Sequence, residues 1–381
     1  MSGKAGRRRV RLPAAVFLAA VLFLVNLSPA LASGTWKTVS TQDDLTEMAF
    51  RVQEYTGTVR ITFLGDCTLG GEEKNRSAYR GFFRTIERNG YDWPFRNLTT
   101  LTAGDDLTVA NLEGVLSDRD LDKVPKEFNF IGPTAYTEIL KAGSVECVTL
   151  ANNHSHDYDS AGYTDTVKAL EDAGIAWFGT DRMAIWRNDA GLMIGFLGVS
   201  GSLSGKRAKD YAERAEFLLL SGCAAVITVM HTGTEYEPVP DSYQRQVVEQ
   251  ASRYSSLIVG HHPHIVQGYE IRGGVPVVYS LGNCVFGGNL NPRDHDALAL
   301  QAELSFRDGR LDGVTLHFYP ISLSGEKNHN DYSPVLLDGA DAERVLKKMA
   351  ESTGMDPGPF DSTEGAVVRP DHGEQEEGDG E

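Results

Sequence analysis

Four cysteines in 381 residues are too few to staple a fold together, so stability has to come from a packed core. Positive charge is scarce: 36 Lys and Arg stand against 53 Asp and Glu, a net charge of −17. That balance excludes non-specific nucleic-acid binding, which depends on Lys and Arg neutralising phosphates. Internal repeats and low-complexity segments are missing from the body of the chain. What is present is apolar material: 41% of residues are hydrophobic and 9% aromatic, which excludes global disorder.

The charge is unevenly spread. Lys4, Arg7, Arg8, Arg9 and Arg11 open the chain with no acid among them. An apolar run of roughly 12–27 follows, and then Ala30-Leu31-Ala32. A basic start, a short apolar stretch and an A-x-A site describe a secretory signal peptide over 1–32. The other reading is an uncleaved N-terminal anchor, although the run is short against the about 20 residues of a membrane span. Both readings put the working part outside the cytoplasm. Residues 33–57 read as a linker with a lead-in helix. Residues 355–381, rich in Asp, Glu, Gly and Pro, read as a disordered acidic tail.

Between them, 58–354 alternates strand and helix patterns. Val59–Leu64, Leu107–Ala110, Val145–Leu150, Leu192–Val199, Ala224–Met230 and Ser256–Val259 read as strands. Helices fall between Pro133 and Gly143 and over 160–173, 206–220 and 240–254. A run of strands closes the body at 275–279, 297–306 and 311–319. This order predicts an α/β layered domain. Polar residues gather just after strand ends, at Asp66, Glu113, Asn153-His154, His231 and 262–264. Open α/β sheets bind ligands beyond the carboxyl ends of their strands.

Most of these residues are ordinary taken singly. An Asp after a strand caps a turn, an Asn-Asn pair makes one, and a lone His is more often a satisfied core residue. Gly260-His261-His262-Pro263-His264 is different, because chance rarely puts three histidines in five positions. Asp66, Glu113, Asn153, His231, His262 and His264 form a mixed nitrogen and oxygen set without thiolate. Such a set suits Mn, Fe or Zn rather than a structural Cys-type zinc site.

Gly65-Asp66, Asn111-Leu112-Glu113, Leu150-Ala151-Asn152-Asn153-His154, His231-x-Gly-x-Glu235-Tyr236, the Gly260–His264 cluster and Tyr279-Ser280-Leu281-Gly282-Asn283 stand in one order. In that order the chain, from about Arg60 to Phe286, resembles the capsule-synthesis CapA family of the calcineurin-like metallophosphoesterase superfamily. Phe130-x-Gly-Pro133 and Asp157 also look like that family. The resemblance implies a four-layer α/β/β/α sandwich with two divalent metal ions at the strand ends. Asp66 and His264 would hold one ion, Asn153, His231 and His262 the other, and Glu113 would bridge. His154, with Asp157, falls where the superfamily places a catalytic histidine that touches phosphate or protonates the leaving group. Asn111, Glu235, His261 and Asn283 become candidates for supporting the ligands from behind.

Two departures stand out. The superfamily's Asp-x-His is here Asp66-Cys67-Thr68, and its Gly-Asp-x-x-Asp/Asn motif is Asn111-Leu112-Glu113. One metal position therefore lacks a nitrogen ligand and is expected to be weak or empty. The resemblance implies capsule or poly-γ-glutamate synthesis or export, with a phosphate ester or anionic polymer as substrate and membrane polymer-synthase subunits as partners. A non-catalytic accessory subunit is the alternative. Cys67 and Cys284 each follow a motif residue. Four free or buried thiols are favoured over a bridge between those two.

Overall fold

A computed structural model describes residues 34–39 and 54–370. Two mixed β-sheets lie face to face. One has seven strands in the order Thr35–Val39, Met183–Arg187, Met193–Ser200, Ala225–His231, Leu257–His261, Val275–Val278, Tyr269–Arg272. The other has ten, and Gly57–Thr68, Leu107–Leu112, Cys147–Thr149 and Ala176–Phe178 form its parallel half. Its antiparallel half is built on Asp296–Arg307 and Arg310–Ser322.

The central strands are apolar on both faces because both faces are covered. Ala225–His231, with the sequence AVITVMH, is buried throughout, as parallel strands in layered α/β folds are. Phe63, Val109, Phe178, Trp186, Phe196, Ile227, Val259 and Leu300 fill the space between the sheets. Helices Phe82–Asn89, Thr137–Ala142 and Asp159–Ala173 cover the outside of the ten-stranded sheet. Helices Gly205–Leu220 and Ser242–Ala251 cover the outside of the other. The expected α/β/β/α sandwich is the fold. Asp241 starts helix Ser242–Ala251 with a reciprocal cap to Gln244. Gly174, at φ 73°, ends helix Asp159–Ala173.

Two sequence expectations meet the structure differently. Thr35–Val39, read as linker, is an edge strand antiparallel to Met183–Arg187. Residues 40–53 of the expected linker and lead-in helix over 33–57 lie outside the described residues, as does the signal segment 1–32. The acidic tail does not begin at 355: Phe360–Asp361 and Gly365–Val368 form a hairpin that extends the ten-stranded sheet beside Arg310–Ser322. Averaging composition over the whole tail hides this short apolar segment, whose Ala366 is fully buried. Helices Phe82–Asn89 and Gly339–Thr353 have no counterpart in the sequence reading. Among the described residues no helix is long and apolar enough to cross a membrane.

A buried acid, Glu146, and a half-buried one, Asp105, sit at the amino ends of the parallel strands. Glu146 accepts the backbone N–H of Thr108 at 2.7 Å. Asp105 accepts the N–H of Thr62 at 3.2 Å and the hydroxyl of Thr108 at 2.8 Å. Burial pushes Glu146 up to about 8, with Asp105 adding to it, and burial pushes Asp105 up to about 6. A carboxyl raised in the folded state favours folding while protonated. That contribution is full below the ordinary carboxyl range and disappears as pH rises through about 8. Glu146→Gln keeps an acceptor for Thr108 and removes the titration. Its melting temperature is expected to match wild type near pH 5 and to exceed it increasingly toward pH 8. The stability gap should grow by at most about 1.4 kcal/mol per pH unit. Parallel melting curves for the two proteins across that range would contradict the assignment.

Candidate metal centre

The carboxyl ends of parallel strands from both sheets meet at one place. In the ten-stranded sheet, Asp66 lies near the end of Gly57–Thr68, and Asn111 and Glu113 come at the end of Leu107–Leu112. Asn152, Asn153 and His154 follow Cys147–Thr149. In the seven-stranded sheet, His231 ends Ala225–His231, and Leu257–His261 runs into His262 and His264. Asn283 begins a short strand paired with Asp66. His262 (φ 100°), His264 (φ 58°) and Tyr236 (φ 60°) hold left-handed backbone conformations without being glycine. Such positions cost on the order of 1–3 kcal/mol each and cluster at functional sites. The Tyr236 N–H donates to the Pro263 carbonyl at 2.8 Å, and the Thr232 N–H to that of His261 at 3.2 Å, which fixes the loop.

At the centre is Glu113. It is 0% exposed, and neither carboxylate oxygen has a hydrogen-bond partner. Around its Oε1 lie His231 Nε2 at 3.5 Å, His154 Nε2 at 3.8 Å and His264 Nε2 at 4.0 Å. His231 Nε2 is 2.8 Å from Asn153 Oδ1 and 3.0 Å from His262 Nδ1. Glu113, His262 and His264 each bring a ligand atom within 4.8 Å of the others. A buried carboxylate without partners is strongly unfavourable unless a cation completes it. First-row cations bind such ligands at about 2.1 Å, which puts neighbouring donors about 3 Å apart. The donor set and its spacing fit a divalent cation.

The protonation pattern agrees. Burial, and then the Asp66 charge, push the Glu113 carboxyl well above the usual range. Burial opposes charge on His264, but Glu113 and Asp66 outweigh it and raise the imidazole to about 10. Without a cation, this pair therefore holds a proton well above neutral pH. Burial pushes His231 well below its usual value and lowers His262 too, leaving both neutral and able to act as ligands. For Asp66, burial is outweighed by the neighbouring His261 and His264 imidazoles, and its carboxyl is held well below the usual range.

Amides and carboxylates brace the histidines from behind. Asn111 Nδ2 donates to Asp66 Oδ1 at 2.7 Å and lies 3.1 Å from His231 Nδ1. Asn111 Oδ1 accepts from Asn152 Nδ2 at 2.9 Å. His264 Nδ1 lies 2.9 Å from Asn283 Oδ1, and the Asn283 amide donates back to the His264 carbonyl at 3.3 Å. The buried His261 ring has its Nδ1 3.5 Å from Asp66 Oδ1, without a hydrogen-bond partner. Glu235 is exposed at the rim, where its charge acts on Glu113 and His262. Among the described hydrogen bonds it makes none to a site histidine. His156 stacks on Tyr163 at 4.4 Å and takes no part in the site.

His154 is held by a separate device. Its Nδ1 is 2.8 Å from Asp157 Oδ2 and 3.1 Å from Lys126 Nζ; the carboxylate only accepts, and Lys126 has Asp157 Oδ1 and the Asn153 carbonyl for its own protons, so the proton belongs on Nδ1 and Nε2 faces Glu113. Asp157 also accepts the Phe130 N–H at 2.6 Å, and Phe130 stacks on the His154 ring at 4.4 Å. Lys126 pairs with Asp157 Oδ1 and donates to the Asn153 carbonyl at 2.9 Å. Sequence reasoning misses Lys126, since one lysine in a charged loop carries no signal. It also misses Phe286, which packs 5.3 Å from His264. Cys67 and Cys284 are free and buried beside the site, and the neighbouring Cys67 and burial push the Cys284 thiol up.

The profile of the bacterial capsule synthesis protein family PGA_cap matches residues 60–288, more than half of the chain. The capsule biosynthesis protein CapA of Bacillus anthracis is 25% identical over 320 residues, 77% of this chain and 73% of that protein. The PGA biosynthesis protein CapA of Bacillus subtilis (strain 168) is 27% identical over 260 residues, 62% of this chain and 66% of that protein. A hypothetical protein from Thermus thermophilus, 15% identical, superposes with a TM-score of 0.41 over 69% of this chain and 99% of its own. With the motif residues gathered at the strand ends and the family profile running through all of them, the chain belongs to the CapA family of bacterial capsule synthesis proteins.

Proposed function

We propose that this chain works outside the cytoplasm in synthesis or export of a capsule polymer, poly-γ-glutamate by analogy with its relatives, and hydrolyses a phosphate ester at a divalent metal centre. The observation that carries this reading is Glu113, fully buried with both oxygens unpartnered among imidazole nitrogens. Glu113, Asn153, His231, His262 and His264 would hold a cation of the Mn, Fe or Zn class. When bound, it supplies Lewis-acid chemistry toward a phosphoryl oxygen and stabilises the charge built up in hydrolysis.

The chain's own residues do the rest. Burial lowers His154, and Asp157 only partly restores it, so the ring is neutral at pH 7 with its proton on Nδ1. Its free Nε2 can accept a proton or bind a phosphate hydroxyl beside Glu113. Stacked Phe130 holds the ring plane and screens it from water. The acidic surface repels anions at long range, so binding of a phosphate ester depends on the local positive charge of the centre. The partners proposed are the membrane subunits of a polymer synthase.

Hydrolysis of a generic phosphodiester and monoester is expected to require added Mn²⁺ and to disappear in the His231→Ala, His262→Ala double variant. Activity unchanged in that variant would sink the metal mechanism. One observation favours a second reading, a non-catalytic accessory subunit: Thr68 stands where the superfamily has a histidine. A chain that binds no metal, with intact polymer production in an Asp66→Ala strain, would support that role.

A further inference from the structure

Asp66 is the residue that the resemblance places on a cation, yet its oxygens are engaged elsewhere. Oδ1 accepts from Asn111 Nδ2 at 2.7 Å, and Oδ2 accepts the backbone N–H of His262 at 3.3 Å. The imidazole atoms it meets are all Nδ1: those of His264 at 3.2 Å, His261 at 3.5 Å and His231 at 3.8 Å. The atoms turned toward Glu113 are Nε2 of His231 and His264. The His231 and His264 rings therefore stand between Asp66 and Glu113.

Of these three nitrogens, His231 Nδ1 faces Asn111 Nδ2 at 3.1 Å and His264 Nδ1 faces Asn283 Oδ1 at 2.9 Å, which leaves the buried, unpartnered His261 Nδ1 beside Asp66, a single nitrogen rather than a second ligand set. Thr68, two residues on and on the same strand face, offers a buried hydroxyl without a hydrogen-bond partner. Cys67 turns to the other face, where its thiol donates to the Gly65 carbonyl at 3.4 Å. Charge points the same way. Asp66 and Glu113 are both fully buried, and one divalent cation neutralises the two. Asp157 is already paired with Lys126.

We propose that Asp66 is a positioning residue that braces His264 at Nδ1 and, through Asn111, His231, and that the centre takes one divalent cation rather than two. This rests on the metal-centre reading of the site. A carboxylate behind a ligand histidine fixes its orientation and raises its basicity, and losing it costs about 10–100-fold in metal affinity.

The test is Mn²⁺ stoichiometry of the full chain by elemental analysis after equilibrium dialysis, with electron paramagnetic resonance of the loaded protein. Close to one Mn²⁺ per chain is expected, with an uncoupled spectrum. Asp66→Asn should still bind one, about 10–100-fold more weakly. Two Mn²⁺ per wild-type chain with an exchange-coupled spectrum would overturn the proposal while leaving the metal centre intact. A wild-type chain that binds none would overturn both. A folded Asp66→Asn chain that binds none at saturating Mn²⁺ would remove the positioning role. If that variant does not fold, the wild-type stoichiometry still decides between one cation and two.

Discussion

Glu113→Gln is expected to abolish useful cation binding and, in the metal-free protein, to raise the melting temperature. Both effects follow from the same burial. Glu113 is the charged member of the proposed ligand set and is 0% exposed. Removing one partner from a buried charge pair costs about 3–5 kcal/mol, or roughly 150- to 4,000-fold in Kd. Without metal neither oxygen has a hydrogen-bond partner and the buried group must take up a proton to avoid its charge, so a permanently neutral amide of the same shape removes that cost. Wild type should gain stability on adding Mn²⁺, because the ion binds only the folded chain. The variant should start higher and gain nothing. Thermal melts with chelator and with Mn²⁺ separate the two proteins. A variant that is less stable than wild type in chelator, or that still gains stability from Mn²⁺, would show that Glu113 is not where the cation sits.

Asp157→Ala is expected to be the most damaging change outside the ligand set. One buried carboxylate holds His154 Nδ1, the Phe130 backbone N–H and the Lys126 ammonium together. Its removal leaves a donor unpaired and Lys126 without its partner, a loss of about 3–5 kcal/mol for a fully buried pair. Lys126 is 28% exposed, so water will take up part of that loss. Lys126→Met should therefore cost less than Asp157→Ala in urea unfolding. Asp157→Asn can still accept from Phe130 and should recover part of the stability. With the His154 ring free to turn, the loss in phosphate-ester hydrolysis should fall on kcat more than on KM. Equal urea midpoints for wild type and Asp157→Ala would mean that this hub has no structural weight.

The strand ends that carry the site were legible because each strand is a buried apolar run that stops at a polar residue. Ala225–His231 and Leu257–His261 are examples, and their parallel order puts His231 and His261 side by side. The short elements were not legible. Ala176–Phe178 and Phe360–Asp361 are too brief for any periodicity, and they are strands because a neighbouring strand completes their hydrogen bonds. In the site, residue types revealed the candidates but not which atom of each faces the centre. His264 meets Asp66 with Nδ1 and Glu113 with Nε2, and no spacing rule separates the two. Lys126 was hidden for a related reason: it reaches Asn153 and Asp157 only after the chain has folded back on itself.

The central claim is that a divalent cation sits against Glu113 where strands of the two sheets converge. Anomalous X-ray diffraction from crystals of the full chain grown with Mn²⁺ tests it most directly. The account predicts an anomalous peak within bonding distance of Glu113, His231 and His262. Crystals that contain Mn²⁺ elsewhere, with no peak at those three residues, would contradict it.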